Sequence, residues 1–139
     1  MAEASHIDIL YEGVEAWNEW RRENPGEAPK LVGEDLSDMD LTGVNLGEAD
    51  LTDAELFQTD LTEANLKMAV FDKADFSGAD LSGAALYKAS LVDACLIEAN
   101  LTGADVRAAD LRKADLRGTT LHRVDFEEAN LTGANLMEA

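Results

Sequence analysis

A large apolar residue returns at every fifth position from Leu36 to Leu136, with no break in the spacing. These 21 positions hold 17 Leu, 3 Phe and 1 Val. Two residues before each stands alanine in 15 of the 21 cases, the exceptions being Glu34, Met39, Val44, Thr59, Thr119 and Val124. Ordinary elements cannot use such a period. On a helix, five residues rotate the leucine by roughly 500°, so successive leucines spiral around the axis and form no stripe. On a straight strand side chains alternate, and an odd period sends Leu36 and Leu41 to opposite faces. Within each repeat, however, alanine and leucine lie two apart and share a face. The consistent solution is a short extended piece, then a corner that resets the parity, repeated along the chain. A chain that always turns its apolar side the same way winds into an all-β solenoid, in which stacked repeats bury what one repeat cannot. The expected core is Leu36, Leu41, Leu46, Leu51, Leu61, Phe71, Phe76, Leu81, Leu86, Leu96, Leu111 and Phe126.

A period of five leaves the number of repeats per coil open. A weaker pattern bears on it: Asp40-Leu-Thr-Gly, Asp60-Leu-Thr-Glu, Asp80-Leu-Ser-Gly and Asn100-Leu-Thr-Gly recur every 20 residues, which favours four repeats per turn. Asp50-Leu-Thr and Asn130-Leu-Thr fall outside that phase.

The runs Ala49-Asp50-Leu51-Thr52-Asp53 and Ala129-Asn130-Leu131-Thr132-Gly133 resemble the pentapeptide-repeat proteins, and the resemblance covers residues 34–138. It implies a right-handed quadrilateral β-helix with four repeats per coil and Leu, Phe and Ala inside. On that reading residues 34–139 form the β-helix, a little over five coils, or a rod roughly 25 Å long at ~4.8 Å per coil.

Residues 1–33 read as a helical cap and a Pro-containing linker. Over residues 5–23, Ser5 is placed to cap a helix, with Asp8 three positions later. Ile7, Leu10, Val14, Trp17 and Trp20 form its apolar stripe, and Asn24-Pro25-Gly26 ends it. An isolated helix of this length is marginal in water, so the stripe must bury against something. The open first coil, with Leu31 and Leu36 at its mouth, is the expected surface; Leu10, Val14, Trp17 and Trp20 are the cap residues. Trp-Asn-Glu-Trp-Arg at 17–21, followed by the linker, also resembles caps of some pentapeptide-repeat proteins.

A net charge of −18 and a pI near 4.2 argue against direct binding to nucleic acid or an anionic membrane, which need a basic surface. No stretch approaches the ~20 apolar residues of a membrane span, and the single Cys95 fits a reducing cytoplasm. Charge is uneven along the chain: residues 34–66 hold ten acids and no Lys or Arg, whereas residues 67–123 hold eight of each sign. With 20-residue coils, Lys67, Lys88 and Arg107 would share one face and Lys73, Arg112 and Lys113 the next, forming a basic ridge. Outward apolar residues include Phe57, Tyr87, Val92, Ile97 and Met137, with Phe57 and Ile97 on one face two coils apart. The expected partner surface is Phe57, Ile97, Lys67, Tyr87, Lys88, Arg107 and Arg112.

Catalysis needs a nucleophile, base or metal converging in a cleft. His6 and His122 lie far apart in sequence, and Cys95 occupies a slot that other repeats fill with Asp or Asn. Those acids lack the Gly-Gly-Xaa-Gly-Xaa-Asp pattern of calcium-binding nonapeptide β-helices; short polar side chains that bond the corner backbone explain them better. No catalytic, metal or cofactor residue is assigned. The expectation is a non-enzymatic interaction scaffold with a protein partner. The alternative, implied by the resemblance, is a DNA mimic: some pentapeptide-repeat proteins are acidic rods that occupy DNA gyrase and protect it from quinolones. Against it stand neutral middle coils, an uninterrupted array and no C-terminal dimerising helix. With Leu131, Leu136 and Met137 uncovered, a weak homodimer through the C-terminal coils is expected, tighter as salt rises.

Overall fold

The structure, a computed structural model, describes residues 5–139. Two short helices, α1 (His6–Tyr11) and α2 (Val14–Glu23), precede a solenoid of isolated parallel bridges. Every bridge joins residues 20 apart, from Lys30–Asp50 to Asp115–Asn135, so four pentapeptides make one turn. The repeating geometry starts at Lys30, one repeat earlier than the leucine count places it. Leu31 is buried and its amide donates to the Asp50 carbonyl at 2.8 Å.

Hydrogen bonding explains why five residues suffice. In Ala79–Gly83 the Ala79 amide closes a turn onto the Phe76 carbonyl (2.9 Å), and Asp80 donates to Thr59 of the preceding coil (3.0 Å). Leu81 and Gly83 donate to Asn100 and Thr102 of the following coil at 2.7 and 2.9 Å. One amide remains, that of Ser82, and Asp80 Oδ1 accepts it at 2.9 Å. The Asp or Asn before most of the leucines therefore supplies the acceptor that the ladder lacks, as a buried or crowded amide requires. The same contact recurs at Asp35, Asp60, Asn100 and Asn130, and a following Ser or Thr usually adds its hydroxyl, as Thr62 does to Asp60 at 2.6 Å.

The corner is set by the residue two after each leucine. All of these, from Gly33 to Glu138, have φ between 53° and 75°, and fifteen of them are not glycine. A non-glycine residue there costs roughly 1–2 kcal/mol, which the regular ladder outweighs.

Inside, Leu36, Leu41, Leu46, Leu51, Leu61, Phe71, Phe76, Leu81, Leu86, Leu96 and Leu111 are fully buried, with the alanines between them. Phe71 and Phe76, on adjacent sides of one coil, meet edge-to-face at 4.9 Å. Thr59 and Thr119 replace alanine inside and donate their hydroxyls to the Leu36 and Leu116 carbonyls. Phe126 departs from the expected core: it is only partly buried, as are Leu121 and Leu131, because no further described coil covers the last turn.

The N-terminal segment also differs from the single helix expected over residues 5–23. The Glu12 and Gly13 amides end α1 on the Ile9 and Leu10 carbonyls, and Gly13 turns with φ 115° before α2 begins. The break lets both Leu10 and Trp17 reach the core, where they are fully buried, with Ile7, Val14 and Trp20 packed around them. Polar side chains meet the first coil as well. Trp17 Nε1 and Arg21 Nη1 donate to the Asn45 carbonyl at 2.6 and 3.1 Å, and Arg21 Nη2 donates to Gly47 at 3.0 Å. Tyr11 donates to the Asp35 carbonyl (2.9 Å), Asn18 Oδ1 accepts from the Asn45 amide (2.8 Å), and His6 Nδ1 accepts from Lys30 (2.8 Å).

Two outcomes follow from this register. Ala84→Glu buries an unpaired carboxylate among stacked leucines and should cost several kcal/mol, whereas outward Thr102→Lys should leave the melting temperature nearly unchanged. Equal effects would show that inside and outside are misassigned.

The second concerns Asp60, whose carboxyl is held below its usual range, first by the Thr62 hydroxyl and then by the Thr62 amide. A carboxyl depressed in the folded state adds stability above its unfolded pKa and loses it as pH falls through the folded value. Asp60→Asn keeps an acceptor that does not titrate. The melting-temperature advantage of the wild type over this variant should therefore shrink as pH drops below the ordinary carboxylate range, and a pH-independent difference would refute the account.

Candidate interaction surface

Rungs 20 residues apart sort the outward side chains into vertical files. One file holds Gly47, Lys67, Tyr87, Arg107 and Glu127, with Lys88 at the adjoining corner. Lys67, Lys88 and Arg107 thus share a face, and Lys73, Arg112 and Lys113 share the next, as the period of 20 demands. The Lys88 ammonium and the Arg107 guanidinium both lie over the Tyr87 ring, 5.4 and 5.5 Å from its centroid. Each contact has cation–π geometry. A cleft of about 190 Å³ beside them is lined by Tyr87, Arg107, Ala108, Glu127 and Glu128.

The arginines among these cations, Arg107 and Arg112, are paired within their own repeats. Arg107 forks onto Asp105, with Nε–Oδ1 and Nη2–Oδ2 both at 2.8 Å. Arg112 grips Asp110 and Arg117 grips Asp115 in the same way. The cause is local: a guanidinium two residues after the corner carboxylate lies alongside it, on three consecutive sides of one coil. Hydrogen bonds from the arginines hold the Asp105, Asp110 and Asp115 carboxyls below the usual range and raise the arginines in turn. Exposed pairs of this kind contribute little to stability. Their consequence is electrostatic: the middle coils cancel internally, and unbalanced negative charge collects over residues 34–66, which carry no Lys or Arg.

Phe57 and Ile97 stand in a second file, Ser37, Phe57, Ser77, Ile97, Arg117 and Met137, two coils apart as expected. Phe57 is 45% exposed, Met137 is 64% exposed and Ile97 is half-buried. A groove of about 340 Å³ lies between Ile97 and Met137, lined also by Glu98, Arg117, Gly118 and Glu138.

Four of the five outward apolar residues share a local cause. Phe57, Tyr87, Val92 and Ile97 come two residues after Glu55, Ala85, Ser90 and Cys95, corners that lack the usual Asp or Asn. Where the carboxylate or amide is present it takes up a Ser or Thr hydroxyl, as Thr62 on Asp60, or an arginine, as Arg107 on Asp105; Met137, which follows Asn135, is the outward apolar residue that departs from this pattern. At Ser90 the acceptor comes instead from the coil below, Asp72 Oδ1 taking the Val92 amide at 3.1 Å. The missing Asp or Asn at these four corners was legible in the sequence; Val70 and Thr120 lack it too and are followed by Asp72 and His122.

Among the described residues no cluster of His, Cys, Asp and Glu is arranged to hold a metal ion. His6 is engaged with Lys30, His122 is exposed, and Cys95 Sγ lies 3.2 Å from Ser77 Oγ. No helix among the described residues is long and apolar enough to cross a membrane.

The family profile of pentapeptide repeats matches the chain in eight copies, over residues 27–56, 54–93, 64–103 and 99–137. No curated protein sequence matches it. Rfr23, a pentapeptide repeat protein from the cyanobacterium Cyanothece 51142, is 27% identical and superposes with a TM-score of 0.76, over 86% of this chain and 97% of that one. A pentapeptide repeat protein of the Arabidopsis thaliana thylakoid lumen is 35% identical with a TM-score of 0.51, over 75% of this chain and 66% of that one. QnrB1, a plasmid-mediated fluoroquinolone resistance protein, is 18% identical with a TM-score of 0.45 over 80% and 72%, too loose a likeness to carry an argument. The profile match and the 20-residue ladder agree: this chain belongs to the pentapeptide repeat family.

Proposed function

We propose that the protein is a non-enzymatic interaction scaffold, a right-handed quadrilateral rod of about five coils that displays side chains to a protein partner. The observation that carries this reading is the division of the repeat. Leucine and alanine are locked inside a hydrogen-bonded lattice, and the remaining positions face out. Outward residues are therefore free to vary in chemistry while the lattice holds their spacing. Unbalanced acid at residues 34–66 keeps the DNA-mimic reading alive, since a negative rod competes for a basic groove. The Arg–Asp forks count against it by neutralising the middle coils. A gyrase supercoiling assay separates the two: a scaffold leaves supercoiling unchanged at protein excess, and inhibition that strengthens at low salt would install the mimic instead.

In the same reading α1 and α2 cap the first coil. Trp17, Asn18 and Arg21 supply hydrogen-bond partners to Asn45 and Gly47 that a preceding coil would otherwise provide. Trp17→Ala removes a fully buried ring and one of those donors, and should cost about 3–5 kcal/mol. Removing residues 1–25 should produce end-to-end association in sedimentation, because the apolar mouth and its backbone are uncovered. A truncated protein that stays monodisperse and equally stable would refute the capping role.

A further inference from the structure

The file Ser37, Phe57, Ser77, Ile97, Arg117 and Met137 is continuous along the rod. Its coils are joined by amides donating from Gln58 to Ser77, Gly78 to Ile97, Glu98 to Arg117 and Gly118 to Met137. Three features single it out. Its apolar members alternate with polar ones, so Phe57, Ile97 and Met137 each lie two coils apart, or about 10 Å at ~4.8 Å per coil. Flanking it, Asp35, Asp38, Glu55, Asp75, Glu98 and Glu138 carry no paired cation, and the one cation of the face, Arg117, is already forked onto Asp115. Gly78 and Gly118 lower the corner beside it, Gln58 Cγ and Glu98 Cγ coming within 3.2 and 3.4 Å of where a Cβ would stand. The result is a row of evenly spaced apolar side chains with an acidic rim, opening into a groove between Ile97 and Met137.

Resting on the scaffold reading, we infer that this file is the docking surface for a basic amphipathic α-helix of a partner protein. Seven helical residues rise about 10.5 Å, which matches two coils, so apolar side chains at i, i+7 and i+14 fall in step with Phe57, Ile97 and Met137. An extended strand does not fit, since it rises about 3.3 Å per residue and repeats its faces at even multiples of that step. Charge selects the sign of the partner. Carboxylates at Glu55, Glu98 and Glu138 favour Lys or Arg beside the apolar stripe and repel an acidic helix. The other faces lack this combination: those bearing Lys67, Lys88, Arg107 and Lys73, Arg112, Lys113 mix both signs, and the face of Thr42, Thr62, Ser82 and Thr102 presents hydroxyls.

The test uses the full chain and a synthetic 21-residue helical peptide with Leu on one stripe and Lys on its flanks, followed by fluorescence anisotropy. A peptide of equal composition with the leucines spread around the helix is the control. The stripe peptide should bind, weaken with salt, and lose at least tenfold in affinity to the double variant Phe57→Ser, Ile97→Ser. Serine already fills Ser37 and Ser77 of this file, so the variant should keep its melting temperature. Glu98→Gln should reduce the salt dependence, and Thr102→Ser on another face should change nothing. Absence of binding, equal binding of the control peptide, or binding indifferent to the double variant would each overturn the inference. So would sedimentation showing a wild-type dimer that Ile97→Ser disperses, since a second copy would then occupy the groove. If protein partners are recovered equally well on the immobilised double variant, this face is wrong while the scaffold reading survives.

Discussion

Every rung of the structure depends on one constraint, that the amides of a five-residue repeat pair with carbonyls of the neighbouring coils at a pitch of 20 residues. The ladder between coils and the turn within the repeat satisfy four donors, and where the corner holds Asp or Asn its side chain satisfies the fifth. Isolated bridges have none of the reinforcement of a long strand. Stability comes from stacking the same small set of bonds coil upon coil, as in other one-dimensional repeat folds. The left-handed corners are tolerated for that reason: fifteen non-glycine residues adopt them because the neighbouring rungs leave no alternative.

That constraint separates what must be uniform from what need not be. Inside, leucine and alanine leave little room for change, and the substitutions that occur are compensated, as when Thr59 and Thr119 bond the main chain. Outside, the position after leucine answers to the corner residue before it. With Asp or Asn present the site favours Thr, Ser or an arginine that reaches back. Without them Phe57, Tyr87, Val92 and Ile97 appear.

Electrostatics follow the same local rule. Counting residues places eight cations over 67–123, and their periodicity promises a ridge. Side-chain geometry thins it, because Arg107 and Arg112 fold back onto their own corner aspartates and leave Lys67, Lys73, Lys88 and Lys113 to carry it. The surviving contrast lies between acidic coils over residues 34–66 and balanced ones over residues 67–123, and between the face of Phe57, Ile97 and Met137, whose flanking carboxylates have no cation partner, and faces that mix both signs.

The sequence alone determined the inward residues, the solenoid class and the helical content near the N-terminus. A period of five sets local parity, and hydrophobic burial then admits only one side for Leu36, Phe71 or Leu111. Tertiary structure decided what local parity leaves open. The number of repeats per turn depends on which distant amides and carbonyls meet, so the 20-residue pitch, only partly signalled by Asp40, Asp60, Asp80 and Asn100, emerged from the ladder. So did the start of the array at Lys30, where pairing with Asp50 rather than the leucine count sets the boundary. The break at Gly13 arises because Leu10 and Trp17 must both reach the first coil, a demand that no property of the isolated helix expresses. Which exposed residues act together is tertiary for the same reason. Phe57 and Ile97 are forty positions apart in the chain, and only closure of two full turns brings them into one file.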